Sequence, residues 1–259
     1  MEKIKEELLI LFDDMLSQTG SFKKKTYKGI FEQAYEKHKG VVSDILALCE
    51  GKTDEEREKI TDELADVLPD HACERLQDIP KIKRERASID YNMNMVVYVV
   101  PILTYTKEEN LERLAEKTVK RWNEKKMNSL TLSISSYETI AGGFRNGLCY
   151  ITTAVCTYQG KPDDCYELAL LRRYRDTYLL STREGRRLVR EYYDTAPYLV
   201  QVLEMCKNAG EIYDELYRMY LLPCISYIEQ KKYEECKRAY MDMVRALQEK
   251  YLCLQEVSA

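Results

Sequence analysis

The residues whose types could support chemistry are concentrated between Leu148 and Val200. Cys149 is the candidate nucleophile, because it follows a glycine-rich approach and an adjoining helix start would lower the pKa of its thiol. A thiol-dependent enzyme or a redox sensor is the chemistry that Cys149 would support. Free cysteine is also among the most buried residue types, so an inert Cys149 is the alternative.

A helix rich in arginine and tyrosine follows. Helical spacing places Arg175 on one face with Leu168 and Leu171. Arg175 is therefore predicted to be buried and to need an acceptor, such as Asp194 or the carbonyls of residues 152–155. Asp176 lies about 100° further around the helix, so we expect it to contact a neighbouring turn instead of Arg175.

These side chains define a predicted binding site in an arginine- and tyrosine-lined pocket. It would take an anion or a carboxylate ligand, although a structural ion-pair network has the same composition. Thr152 and Thr153 would be nucleophiles only beside a base, so we interpret them as cap or loop hydroxyls. The predicted binding residues are Arg172, Arg175, Asp176, Tyr193, Thr152 and Thr153.

Metal and cofactor chemistry is disfavoured. Cys149, Cys156 and Cys165 lack the short spacing of zinc ligands, and the two histidines are distant in sequence. The glycines do not form a Walker or dinucleotide fingerprint, and HExxH and GxSxG do not occur. We therefore predict no metal site and no cofactor, and nine reduced cysteines.

Several short motifs occur in order: Cys149-Tyr-Ile-Thr-Thr-Ala154, Leu171-Arg-Arg-Tyr-Arg-Asp176, Gly185-Arg-Arg-Leu-Val189, Tyr192-Tyr193 and Pro197. Together they resemble the CFI-box domain of bacterial and archaeal proteins, over residues 145–200. The first motif departs from the family at Tyr150, Thr152 and Val155-Cys156. The resemblance implies a small helical module, often near the end of a chain, and implies no activity.

The rest of the chain must position this stretch. Apolar residues recur at helical spacing almost throughout, and 10 glycines and 6 prolines in 259 residues favour long helices. We predict an all-α, bundle-like assembly with at most one short β-hairpin, which would pair residues 130–134 with 95–100. An N-terminal helical region would span 1–140 and a C-terminal one 141–259.

Local signals refine this outline. Thr53 with Glu56, and Thr106 with Glu109, are predicted capping boxes. Pro69 is predicted to close a helix, and another helix is predicted to start at Pro197. Residues 93–104 are predicted to form a buried helix kinked or restarted at a proline.

The net charge and the hydropathy of the chain indicate which kinds of partner it can bind. A net charge of −4 makes nucleic acid an unlikely partner, despite basic clusters at 23–25 and 81–86. The apolar runs are too short to cross a bilayer, and scattered cysteines behind an amphipathic start favour a cytoplasmic protein. Twenty-one tyrosines and the amphipathic helices favour a non-enzymatic interaction or adaptor protein, which would bind another protein or itself.

Overall fold

The computed structural model describes residues 1–146 and 150–251. Backbone contacts divide the chain into two units, Met1–Gly142 and Gly143–Ala259, two residues from the predicted boundary. The described residues are mostly helical and form no sheet. The prediction of an all-α multi-helix assembly is therefore confirmed.

Seven helices of the described chain belong to the first unit, and an eighth begins at its end. Buried Leu8, Leu11 and Phe12 on α1 pack into its core. The helices are α1 (Glu2–Leu16), α2 (Tyr27–Cys49), α3 (Asp54–Ala65), α4 (Val67–Asp78), α5 (Lys81–Asn94), α6 (Val100–Leu103), α7 (Glu109–Lys125) and α8 (Tyr137–Asn146).

A π-helical turn, Met95–Val99, joins α5 to α6 and lies at the centre of this core. Pro101 lacks the N–H that would bond to the carbonyl of Val97, and one wider turn accommodates its ring. The Tyr27 hydroxyl donates to that carbonyl at 3.0 Å. The prediction of a buried helix kinked or restarted at this proline is confirmed as a restart, since α6 begins at Val100, and a side chain from α2 satisfies the freed acceptor.

Of the two predicted capping boxes, one is confirmed and the other is wrong. Both hydrogen bonds of the box at Thr53 and Glu56 are present. The second box is wrong: α7 has Glu108 as its N-cap, without a side-chain cap bond. The predicted closing role of Pro69 is also wrong, since α4 begins at Val67 and holds the proline in its first turn, where no helical N–H is needed.

Residues 130–134 do not form the strand of the one β-hairpin that the prediction allowed. Asn123 in α7 instead holds this segment, because its amide donates to the Leu132 carbonyl and its side-chain oxygen accepts the Leu132 N–H, both at 2.9 Å. The side chain thus supplies the two hydrogen bonds that a neighbouring strand would make. The segment stays irregular.

In the described part of the second unit the helices are α9 (Tyr150–Tyr158), α10 (Tyr166–Thr177), α11 (Arg183–Glu204), α12 (Ala209–Leu216), α13 (Leu222–Glu229) and α14 (Tyr233–Tyr251). A second π-helical turn, Tyr217–Leu221, precedes α13, which holds Pro223 in its first turn. The helix predicted to start at Pro197 is wrong, because α11 continues through this proline. Ala196 and Leu199 are fully buried on either side of it, so packing holds the helix together.

Candidate functional site

Helices α9, α10, α11 and α14 of the second unit surround a pocket of about 220 Å³. Three of these helices each present a stripe of side chains at i, i+3 and i+4 spacing toward it. The stripe on α10 consists of Leu171, Tyr174 and Arg175, and the stripe on α11 of Val189, Tyr192 and Tyr193. Its walls are therefore mainly aliphatic and aromatic.

The turn between α10 and α11 is very tight. A 3₁₀ turn, Leu179–Ser181, leads to Thr182, whose hydroxyl caps α11 by accepting the Gly185 N–H at 3.0 Å. A Cβ on Gly185 would lie 2.0 Å from the carbonyl oxygen of Leu179. Only glycine allows this approach, so Gly185 fixes the distance between two walls of the pocket.

Arg175 is the charged group most deeply set in the wall, and only 7% of its surface is exposed. Its Nε and one terminal nitrogen donate to both carboxylate oxygens of Asp176, at 2.7 and 2.9 Å. The other terminal nitrogen donates to the Tyr193 hydroxyl at 3.0 Å. The predicted burial of Arg175 is confirmed, whereas the prediction that Asp176 would avoid Arg175 is wrong.

The α9 wall is held by tyrosines of α11. The Tyr192 hydroxyl accepts the Ile151 N–H at 2.9 Å, which satisfies an amide in the first turn of α9. The rings of Tyr150 and Tyr193 meet edge to face, with centroids 6.1 Å apart. Burial raises the pKa of Tyr150, so its hydroxyl stays protonated. Through these contacts α11 positions fully buried Thr152 in the pocket wall.

The remaining wall comes from α14, which sequence reasoning treated as an ordinary amphipathic helix. Met241 and Val244 contribute its apolar part, while Lys237 and Arg245 bring positive charge to the pocket. Lys237 forms ion pairs with Glu234 at 2.8 Å and with Glu184 at 3.3 Å, and the bond to Glu234 raises the pKa of its ammonium. Arg245 is exposed and forms no ion pair within the described part of the chain.

The structure brings together only part of the predicted binding set. Thr152, Arg175 and Tyr193 line the pocket, and Asp176 binds Arg175. Arg172 instead bonds to the carbonyl and the carboxylate of Asp163, at 2.8 and 2.6 Å, and closes the loop before α10. The Thr153 hydroxyl is buried and finds no hydrogen-bond partner among the described residues, and Thr153 does not line the pocket. Cys149 lies outside the described residues.

The basic cluster at 81–86 has structural roles. Arg84 donates to the carbonyls of Ile79 and Gln77, at 2.8 and 2.9 Å, and so satisfies acceptors at the end of α4. Arg86 pairs with Asp90 at 3.1 Å. These contacts engage the two arginines with the protein itself.

No group of three or more His, Cys, Asp or Glu side chains among the described residues is arranged to hold a metal ion. None of the helices in that part of the chain combines the length and the hydropathy needed to cross a membrane.

Comparisons with models of known protein families, with curated proteins and with solved structures gave no match to this chain.

Proposed function

We propose that this chain is a non-enzymatic interaction protein, and that the pocket between α10, α11 and α14 binds the apolar face of a helix from another protein. The observation that carries the proposal is the set of three helical stripes facing one open space. Ordinarily a further helix would cover such a space, and amphipathic helices bind in grooves of this kind. The chemistry of the walls supports the same partner.

The volume and the charge of the pocket limit the side chains that a partner helix can carry. An apolar cavity of about 150 Å³ holds a benzene molecule, so about 220 Å³ suits one or two large apolar side chains. Among the basic residues of its lining, Arg175 and Lys237 are paired within the protein, so the exposed Arg245 is the cation that a partner can reach. We therefore propose a partner helix with one or two leucine or aromatic anchors on one face and with acidic residues beside them that meet Arg245.

A designed peptide tests this proposal. A helical peptide of about 15 residues, with leucines on one face and glutamates along its edges, would be titrated into the protein. The control peptide has the same composition in scrambled order. Val244→Arg places a charge in the pocket wall, and Ala246→Arg places the same charge on an exposed position of the same helix.

We expect the patterned peptide to bind at least tenfold more tightly than the scrambled peptide, and Val244→Arg to remove this binding while Ala246→Arg preserves it. Equal binding of both peptides, or equal loss in both variants, would contradict the proposal. Sedimentation at several protein concentrations tests whether a second copy of this chain occupies the pocket instead. A mass increase that Val244→Arg abolishes would mean that a second copy of this chain fills the pocket.

A second candidate function is thiol chemistry at Cys149. Its support is that Arg175 and Tyr193 do line one pocket, together with Thr152, which follows Cys149 by three positions in the sequence. An electrophilic thiol probe tests this function. Faster labelling of Cys149 than of the half-buried Cys73, slowed by Arg175→Met, would favour it over the interaction role.

We also propose that residues 145–200 form a CFI-box-like module in a cytoplasmic protein. The support is that members of its motifs meet in the structure: Arg175 bonds to Tyr193, Tyr192 caps α9, and Gly185 sets the approach of α11. The ordered motifs therefore correspond to one packed arrangement of side chains. Variants at these positions should lower stability together.

A further inference from the structure

Two pairs of cysteines in the second unit lie at places where the chain reverses. Cys156 is in the last turn of α9 and Cys165 is the N-cap of α10. Cys224 is in α13 and Cys236 is in the first turn of α14. Within each pair the two thiols are within hydrogen-bonding reach of each other. The pairs differ in their access to solvent, since Cys165 alone is half-buried and the other three are fully buried.

The loop between Cys156 and Cys165 is compact. Gly160 adopts a left-handed conformation with φ +67°, and the Lys161 N–H returns to the Cys156 carbonyl at 2.9 Å. This pattern ends α9 and turns the chain back on itself. The Cys165 N–H then bonds to the Pro162 carbonyl at 3.0 Å. The backbone thus holds the two cysteines on opposite sides of one tight turn.

Charged groups surround the half-buried thiol. The Glu167 carboxylate is within hydrogen-bonding reach of Cys165 and also binds the Lys161 ammonium. Lys161 is held in turn by the Tyr217 hydroxyl at 2.8 Å. A carboxylate that can accept a proton, held in place by a cation, therefore lies beside the accessible thiol. Burial raises the pKa of the Cys156 thiol to about 12.

We infer that Cys156 and Cys165 form a redox-active dithiol that a hydroperoxide oxidises to a disulfide. The Cys165 sulfur attacks the peroxide oxygen, and the O–O bond breaks to give a sulfenic acid and an alcohol, or water from hydrogen peroxide. The thiol proton passes through Glu167 to the leaving oxygen. The Cys156 sulfur then attacks the Cys165 sulfur, and the S–O bond breaks to release water with the Cys156 proton. Two thiols and one hydroperoxide give one disulfide, one alcohol and one water.

This site is separate from Cys149 and from the proposed helix-binding pocket, so either proposal can fail alone. The Cys224–Cys236 pair is an internal control. Its thiols are also within hydrogen-bonding reach of each other, but both are fully buried, and Cys224 donates to the Cys236 carbonyl at 3.8 Å. Since oxidation requires access of the peroxide to a thiolate, this pair should stay reduced in the folded protein.

The experiment treats the full native chain with hydrogen peroxide, blocks remaining thiols, and digests with trypsin and an Asp-specific protease. Cleavage before Asp163 separates Cys156 from Cys165, so a disulfide joins two peptides. We expect this linked pair, with Cys224 and Cys236 alkylated. Cys156→Ser should abolish the link and leave Cys165 as a sulfenic acid that a 1,3-dione traps.

Cys165→Ser should abolish both products, and this variant should fold because serine is a preferred N-cap residue. Circular dichroism and a cooperative melt verify folding. The inference is overturned if folded wild-type protein forms no Cys156–Cys165 link. It is also overturned if Cys156→Ser yields no sulfenic acid at Cys165 that the 1,3-dione traps, or if Cys224–Cys236 oxidises at least as fast.

Discussion

Replacing Arg175 tests whether its buried charge stabilises the fold. Arg175→Ala removes two buried methylenes, which contribute about 1.6 kcal/mol at ~0.8 each. It also removes the charged hydrogen bond to Tyr193, for which about 1.5–3 kcal/mol is typical. Asp176 is 53% exposed, so its pairing adds less than ~1 kcal/mol. Release of the buried guanidinium offsets part of this sum, and we expect a net loss of about 2–4 kcal/mol.

Urea unfolding followed by circular dichroism measures this loss, with two matched variants. Arg175→Met keeps most of the aliphatic stem and should lose less than ~2 kcal/mol, because no charge needs a partner afterwards. Arg183→Ala removes an exposed arginine at the start of α11 and should change stability by less than ~0.5 kcal/mol. If Arg175→Ala stays within ~0.5 kcal/mol of wild type, the reasoning about this buried network is refuted.

Three further predictions concern other parts of the fold. Gly185→Ala forces a methyl against the Leu179 carbonyl and should destabilise the protein by at least ~2 kcal/mol in urea unfolding. Tyr27→Phe leaves the Val97 carbonyl without its buried donor and should cost about 1–3 kcal/mol by the same measurement. Burial lowers the pKa of His38, so the unfolded chain binds its proton first. Stability should therefore fall as the pH drops below about 6.5, as urea midpoints across pH would show.

Matched variants control these three measurements. Gly40→Ala adds a methyl in open space within α2 and should be neutral or stabilising by up to ~1 kcal/mol. Tyr35→Phe removes a hydroxyl from a half-buried ring on the same helix and should cost less than ~0.5 kcal/mol. His38→Gln should flatten the pH dependence between 5 and 6.5. Equal changes in stability for Gly185→Ala and Gly40→Ala would contradict the steric argument at Gly185. A pH dependence of stability that is unchanged in His38→Gln would contradict the argument from His38.

Helical periodicity was sufficient to predict the fold class and the burial of Arg175. Leu168, Leu171 and Arg175 are 1%, 5% and 7% exposed, as their shared face requires. The pairing of Arg175 with Asp176 was missed because the prediction used the directions of the Cβ atoms. A long arginine stem can bend around the helix, so its guanidinium reaches a carboxylate whose Cβ points elsewhere.

The α14 wall could not be predicted from local pattern. This helix carries a buried row of Cys236, Met243 and Leu247, and a second apolar row that includes Tyr240 and Val244. Spacing shows that both rows exist, but which row stays uncovered depends on distant helices. The signal available in sequence was the width of the apolar face, which exceeds what one neighbouring helix covers.

The measurement that tests the proposed function most directly is the methyl NMR spectrum of the protein with ¹³C-labelled methionines. Met241 lies in the pocket wall, whereas Met219 is 64% exposed on the π-helical turn of the same unit. Titration with the patterned helical peptide should shift the Met241 methyl resonance and leave that of Met219 unchanged. A peptide that binds and shifts Met219 but not Met241 would contradict the assignment of the pocket as the binding site.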